Sequence, residues 1–297
     1  MGKLIRGTSK NARFFLIDST DVVQTALVIH RCSPTAIDAF GRILTAGAIM
    51  GSTLKGKDLI TIMTNTDGLL KSMVVTADAN GGVKGYLSDP YADVPLKDNK
   101  KHDVSGLIGR GTIKIIKDMG LKDPYIGISE IQSGGLAEDL AYYYYTSEQT
   151  PTVLALGVSL KDKDTVRSAG GYMIQLLPDA EEDFITFLEA KVKAILPMTD
   201  LMNGGMDLDR ILRLLYDDMD TEEDIPIEKY DILERKDIKY SCNCNRDKFY
   251  RGIIALGKDE LNKIFAEESS IETECNFCKK KYVFTRDDLI DIIGGKQ

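Results

Sequence analysis

Cysteines are scarce in this 297-residue chain, five in all, yet four of them fall in one stretch: Cys242-x-Cys244, thirty intervening residues, then Cys275-x-x-Cys278. Two close pairs folded onto each other present the four sulfurs that a tetrahedral zinc ion takes as thiolates. The surrounding segment needs such a staple. Residues 231–297 hold few large apolar side chains, among them Phe249, Tyr250, Leu261, Phe265, Tyr282 and Phe284, and units of this size are marginal on a core alone. The spacing therefore predicts one zinc ion held by Cys242, Cys244, Cys275 and Cys278. Such a site is either purely architectural or a target for oxidants, because thiolates are the form that peroxide attacks.

The length exceeds a usual domain of roughly 100–150 residues, so two or three units are expected. The beginning, MGKLIRGTSKNARFFLID, lacks the apolar run of a secretory signal, and no stretch approaches the ~18 apolar residues of a membrane span. These features predict a cytoplasmic protein without a membrane partner. In that compartment thiols stay reduced, which favours metal or redox roles for clustered cysteines over structural disulfides.

Charge is unevenly distributed. Residues 179–230 carry fifteen acids against five bases, a net of −10, whereas the whole chain has a net of only −8. A basic stripe, the electrostatic footprint of a nucleic-acid binder, is missing.

Hydrophobic patterning divides the chain into three segments and predicts an α+β fold. Residues 1–178 read as a mixed core. Ser33-Pro34 is an N-cap followed by proline at the first helical position, with Ile37, Phe40, Leu44 and Ala48 at helical spacing. LITIM (59–63), MVVTA (73–77) and VKGYL (83–87) read as an antiparallel meander joined by glycine turns. IKIIKD (113–118) and YIGISEI (125–131) add strands, and a helix follows over residues 137–145. Residues 179–230 read as an acidic helical linker, with Phe184, Phe187, Leu188, Val192 and Ile195 on one helix face before Pro197. A second stripe, Leu208, Ile211, Leu212, Leu215 and Met219, follows the Asn203-Gly204-Gly205 break. Repulsion among its carboxylates makes this linker's folded state depend on docking. It is either a solvated connector or a switch element. Residues 231–297 form the small cysteine-bearing unit.

Other conspicuous features carry no chemistry on this reading. Cys32 is expected to be a small buried hydrophobe, His30 a core histidine and His102 a surface residue in a charged loop, so a histidine-based triad lacks support. GSTLKGKD (51–58) nearly fits a phosphate-binding loop, but Asp58 replaces the required hydroxyl and the order is helix then strand. It reads as a helix C-terminal turn. Tyr142 to Tyr145 point all round a helix and form no single stacking platform.

With these residues in place the chain resembles the heat shock protein 33 family of redox-regulated chaperones. The most specific stretches are CNC, CNFC, the LGKDEL (256–261) between them and the YVF (282–284) after them. SPTAIDAFGRILTA (33–46), GYLSDP (85–90), SGGLAEDLAYYYYTSEQTPTVLALGV (133–158) and GGYMIQLLPDA (170–180) support it. The resemblance implies a non-enzymatic, ATP-independent holdase for unfolded client proteins, inactive while reduced and zinc-bound. It implies that oxidation pairs Cys242 with Cys244 and Cys275 with Cys278, expels zinc, unfolds the zinc unit and linker, and gives a form that is often a homodimer. Cys32 has no counterpart in the family's motif. The client surface expected from the sequence comprises Phe184, Phe187, Leu188, Ile211, Leu212 and Leu215, with the core surface they cover. Two competing classes remain open at this level, a zinc-ribbon nucleic-acid-binding regulator and a thiol oxidoreductase. The first is disfavoured by the balance of thirteen acids and thirteen bases in residues 231–297.

Overall fold

The structure, a computed structural model, describes residues 1–216 and 228–293. The chain divides into two compact units, Met1–Ser241 and Cys242–Gln297.

The first unit is built on a ten-stranded sheet. Its strands are β1 (Gly2–Ser9), β2 (Ala12–Asp18), β3 (Leu59–Thr66), β4 (Ser72–Asp78), β5 (Gly82–Leu87), β6 (Gly111–Asp118), β7 (Tyr125–Glu130), β8 (Thr152–Asp162), β9 (Thr165–Leu176) and β10 (Tyr230–Tyr240). Their order is β7-β6-β3-β4-β5-β10-β1-β2-β9-β8. Every pairing is antiparallel except the short join between Lys239-Tyr240 and Gly82-Val83. The predicted meander is β3-β4-β5, and the two further predicted strands are β6 and β7.

Helices α1 (Thr20–His30), α2 (Pro34–Gly51), α3 (Val104–Ile108) and α4 (Ala137–Ser147) accompany this sheet. Ser33 caps α2, its hydroxyl accepting from the Ala36 N–H, and Pro34 occupies the first turn as expected. Within α2 every residue except Pro34 and Arg42 is buried, including Asp38, which pairs with Arg42 one turn on. It reaches both halves of the sheet through small residues. A Cβ on Gly41 would lie 2.7 Å from Val158 of β8, and one on Gly47 would lie 2.6 Å from Val75 of β4.

The β1-β2-β9 part of the sheet is covered on both faces. Successive strand residues point to opposite faces, so Phe15 and Ile17 join the α1/α2 core while Phe14 and Leu16 point the other way. That second face is covered by the linker, whose helices are α5 (Glu182–Ala194), α6 (Met198–Asn203) and α7 (Leu208–Tyr216). The linker leaves the sheet at β9 and returns at β10, with β1 and β2 lying between those strands. Phe184, Leu188, Met198, Leu201, Ile211, Leu212 and Leu215 pack with Ile5, Phe14, Leu16, Tyr172 and Ile174 into one apolar layer. Met219, the last position of the predicted stripe, lies outside the described residues.

The cysteine-bearing unit begins later than composition suggests. Residues 230–240 form β10, whose pairing with β1 runs from Gly2–Ile238 to Ser9–Tyr230. A strand this charged reads as part of the cysteine-bearing unit rather than of the core sheet because its apolar residues, Ile232 and Ile238 among them, are few. His102 also differs from expectation: it is half buried, with Nδ1 3.3 Å from a carboxylate oxygen of Asp38. The turn after α2 and the tyrosine run follow the sequence reading, with Tyr143 and Tyr144 buried and Tyr142 and Tyr145 exposed.

Candidate metal centre

The second unit holds α8 (Arg246–Ile254), α9 (Lys258–Glu267) and a hairpin of β11 (Ser270–Glu274) and β12 (Lys281–Thr285). Cys242 and Cys244 lie in the segment leading into α8, where the Asn245 side chain caps the helix by accepting from the Lys248 N–H. Cys275 and Cys278 lie in the hairpin turn. There the Cys275 N–H donates to the Lys280 carbonyl at 3.0 Å, the Lys279 N–H donates to the Cys275 carbonyl at 2.8 Å, and Lys279 takes a left-handed φ of 59°.

This turn and the α8 approach bring the four sulfurs together, all within 4.8 Å of one another. Cys242 Sγ lies 3.7 Å from Cys275 Sγ, and Cys244 Sγ lies 3.4 Å from Cys278 Sγ. Four sulfurs at the usual zinc distance of about 2.3 Å in a tetrahedron stand about 3.8 Å apart. A disulfide would bring two of them to about 2.05 Å. The donor set and its spacing therefore fit a metal ion held by four thiolates.

The cluster's immediate support is aromatic. The Tyr282 hydroxyl donates to Cys244 Sγ at 3.2 Å, and the Tyr282 ring stacks on Phe249 with centroids 4.7 Å apart. Arg246 lies over Phe284 at 4.3 Å, donates to the Val283 carbonyl and pairs with Asp288 at 2.8 Å. Tyr282 is thus more than the core residue the sequence suggests. Burial acts to raise the Cys244 thiol, but hydrogen bonds from Tyr282 and the neighbouring thiols outweigh it and lower the group to about 7. Burial, with the adjoining thiols, pushes Cys278 up to about 12 and also raises Cys242. The bond to Cys244 pushes the Tyr282 hydroxyl up to about 12. A bound cation would stabilise all four sulfurs as thiolates.

Only six buried apolar residues form this unit's core among the described residues: Ile253, Leu261, Phe265, Tyr282, Phe284 and Leu289. A core this small is marginal alone, and a metal held by the four cysteines would supply the missing staple.

The fifth cysteine, Cys32, is buried in the first unit, outside the cluster, and burial pushes its thiol up to about 12. His30 is a satisfied core histidine, with Nε2 3.1 Å from the Tyr240 hydroxyl and its ring edge-on to Phe40. Of the six expected client-contacting residues, Phe184, Leu188, Ile211, Leu212 and Leu215 are buried in the linker–sheet layer. Phe187 is half buried beside Phe184, with the Lys191 ammonium over its ring. Among the described residues, no helix is long and apolar enough to cross a membrane.

Comparison with known proteins gives a consistent result. The family model for Hsp33 protein matches residues 2–285. A 33 kDa chaperonin from Clostridium botulinum (strain Langeland) is 41% identical over 296 residues, covering 98% of this chain and 97% of that protein. One from Caldanaerobacter subterraneus subsp. tengcongensis is 42% identical over 285 residues, covering 95% and 94%. The crystal structure of a 33 kDa chaperonin, a heat shock protein 33 homolog from Thermotoga maritima, superposes with a TM-score of 0.86 at 29% identity, covering 98% of this chain and 97% of that one.

Proposed function

Because the chain belongs to the Hsp33 family, whose members are chaperonins rather than enzymes, we propose that it is a redox-regulated, ATP-independent holdase of the cytoplasm. The metal is zinc, and Cys242, Cys244, Cys275 and Cys278 hold it in the reduced, inactive state. When bound, zinc supplies the cross-link that the small core of residues 242–297 lacks, roughly 10–16 kcal/mol in comparable finger peptides. That is as large as the stability of a whole domain.

Peroxide converts the two sequence-adjacent pairs to disulfides, Cys242–Cys244 and Cys275–Cys278. For each pair, two thiolates, one hydrogen peroxide and two protons give one disulfide and two waters. The cysteines are oxidised, the peroxide is reduced, and no thiolate donor remains for the ion. The second unit then loses its staple and unfolds. β10 ends at Tyr240, immediately before Ser241-Cys242, so unfolding of the second unit passes along the chain toward the linker.

The observation that carries this reading is the apolar layer between linker and sheet. Nine- and six-residue helices such as α7 and α6 have too few turns to persist alone in water. Undocking therefore exposes their apolar faces together with Phe14, Leu16, Tyr172 and Ile174. A contiguous apolar surface of this kind holds unfolded chains. Phe184, Phe187, Leu188, Ile211, Leu212 and Leu215 are the proposed client-contacting residues, and the linker's carboxylates keep the complexes soluble. Unfolded or misfolding proteins are the partners, the oxidised form is a homodimer, and nucleic acid is not a partner.

The test is client aggregation followed by light scattering. The reduced, zinc-loaded protein should leave aggregation unchanged, and the peroxide-treated protein should suppress it; equal behaviour of the two forms would overturn the reading.

A further inference from the structure

The two-residue connection between β1 and β2, Lys10-Asn11, does an unusual amount of hydrogen bonding. Asn11 is only 2% exposed. Its backbone is not in the left-handed region, so the turn does not explain why asparagine stands there. Its side chain is used elsewhere. The amide oxygen accepts from the Glu181 N–H at 2.8 Å, at the entry to α5. The amide nitrogen donates to one carboxylate oxygen of Glu228 at 2.6 Å, and the Asn11 backbone N–H donates to the other at 2.8 Å. The Asn11 carbonyl accepts from the Leu177 N–H at 2.8 Å. Lys10 adds an ion pair to Glu181.

Glu181 and Glu228 lie at the two ends of the linker. One asparagine therefore holds both the exit from β9 and the return to β10, using an acceptor for one and donors for the other. The same ends meet again in an aromatic group, where Phe14 of β2 lies 5.4 Å from Tyr216 and 5.8 Å from Tyr230, and Phe184 lies 6.0 Å from Tyr216.

We propose that Asn11 is a positioning residue that clasps the two ends of the linker to the β1–β2 connection and sets how readily the linker undocks from the sheet. The proposal deepens the switch described above and rests on that reading only for its link to client holding. No other side chain of this size fills the role. Aspartate keeps the acceptor for Glu181 but places a carboxylate against Glu228. Alanine loses both side-chain contacts and leaves the half-buried Glu228 carboxylate with the backbone N–H of residue 11 as its remaining donor there.

The test is a donor–acceptor exchange. Asn11→Asp is prepared alone and together with Glu228→Gln, in the full-length, reduced, zinc-loaded protein. In the pair, the side-chain amide introduced at position 228 donates its N–H to the carboxylate introduced at position 11, while its oxygen still accepts from the backbone N–H. Complementarity is thereby restored with the same net charge. Amide hydrogen exchange of α5 and α7 is the readout, with β3 and β4 as internal reference. Asn11→Asp should speed exchange in α5 and α7 about tenfold or more without affecting β3 and β4, and the double variant should return it to within about threefold of the native rate. Native protection in Asn11→Asp, or a double variant as open as the single one, would overturn the clasp. Client light scattering on the same samples separates the two ideas. Faster exchange without client holding would leave the clasp standing and remove the proposed link between undocking and activity.

Discussion

Replacement of Leu212 by serine tests the linker–sheet layer directly. Leu212 sits on α7 at 1% exposure, packed in the layer that includes Ile5, Phe14 and Leu16. Truncation removes about three buried carbon groups, which at ~0.8 kcal/mol each gives about 2.4 kcal/mol. Incomplete collapse of the cavity brings measured leucine truncations to about 3–5 kcal/mol. The new hydroxyl can bond the carbonyl four residues earlier in the helix, so it adds little. At about 1.4 kcal/mol per factor of ten, a cost of 3–4 kcal/mol shifts undocking of α7 by about 10²- to 10³-fold. Native-state hydrogen exchange should show that loss of protection in α7 while α2 keeps its native protection. The reduced, zinc-loaded variant should also suppress client aggregation without oxidant. Native protection in α7 would refute the packing argument. Lost protection without client holding would refute the assignment of this surface to clients.

Other outcomes follow from the same geometry. Cys244→Ser or Cys278→Ser should abolish stoichiometric zinc binding and unfold residues 242–297 while the ten-stranded sheet persists, as read by metal analysis and NMR dispersion; retained zinc would contradict the four-thiolate site. Gly47→Val pushes a side chain into Val75 from the middle of α2 and should cost about 2 kcal/mol or more in denaturant unfolding, beyond any gain in helix propensity. The hydrogen bonds and charge of Arg235 hold the Asp209 carboxyl below its ordinary value despite opposing desolvation. This contribution is complete above the ordinary carboxylate pKa and is lost as pH falls through the lower folded value. Because both partners are substantially exposed, Asp209→Asn should cost under ~1 kcal/mol near neutrality, less in high salt, and the difference from native should vanish in acid titrations of linker exchange. Cys32→Ala should leave zinc release and client holding unchanged.

Some of this architecture was legible because local chemistry and global fold agree. Ser33-Pro34 opens α2, the glycine turns separate β3, β4 and β5, and four cysteines converge because a hairpin turn and a helix approach are compatible with their spacing. β2 was harder to read. Phe14 to Ile17 form a continuous apolar run, since Phe15 and Ile17 face α1 and α2 while Phe14 and Leu16 face the linker, so strand periodicity vanishes. β10 failed for the opposite reason: its charged residues Glu234, Arg235 and Asp237 pair with Arg6, Asp209 and Lys3, and Lys236 donates to the Ala79 carbonyl, distant partners that no local pattern reveals. The linker's amphipathic faces could be read from α5 and α7, but their docking surface could not, because it is assembled from strands far apart in the chain. Asn11 gave no signal of its role for the same reason, since Glu181 and Glu228 lie 170 and 217 residues away. Tyr282 stood beside the cysteine motif, and its place in YVF was the available hint that its hydroxyl reaches Cys244.

The central claim is that the state of four thiols controls access to the linker–sheet surface. It is tested most directly by following released zinc and light scattering from a thermally unfolding client in one sample as peroxide is added to the reduced, zinc-loaded protein. The account predicts one zinc released per chain, with suppression of aggregation rising in step. Zinc release with no gain in suppression, or full suppression before any peroxide is added, would contradict it.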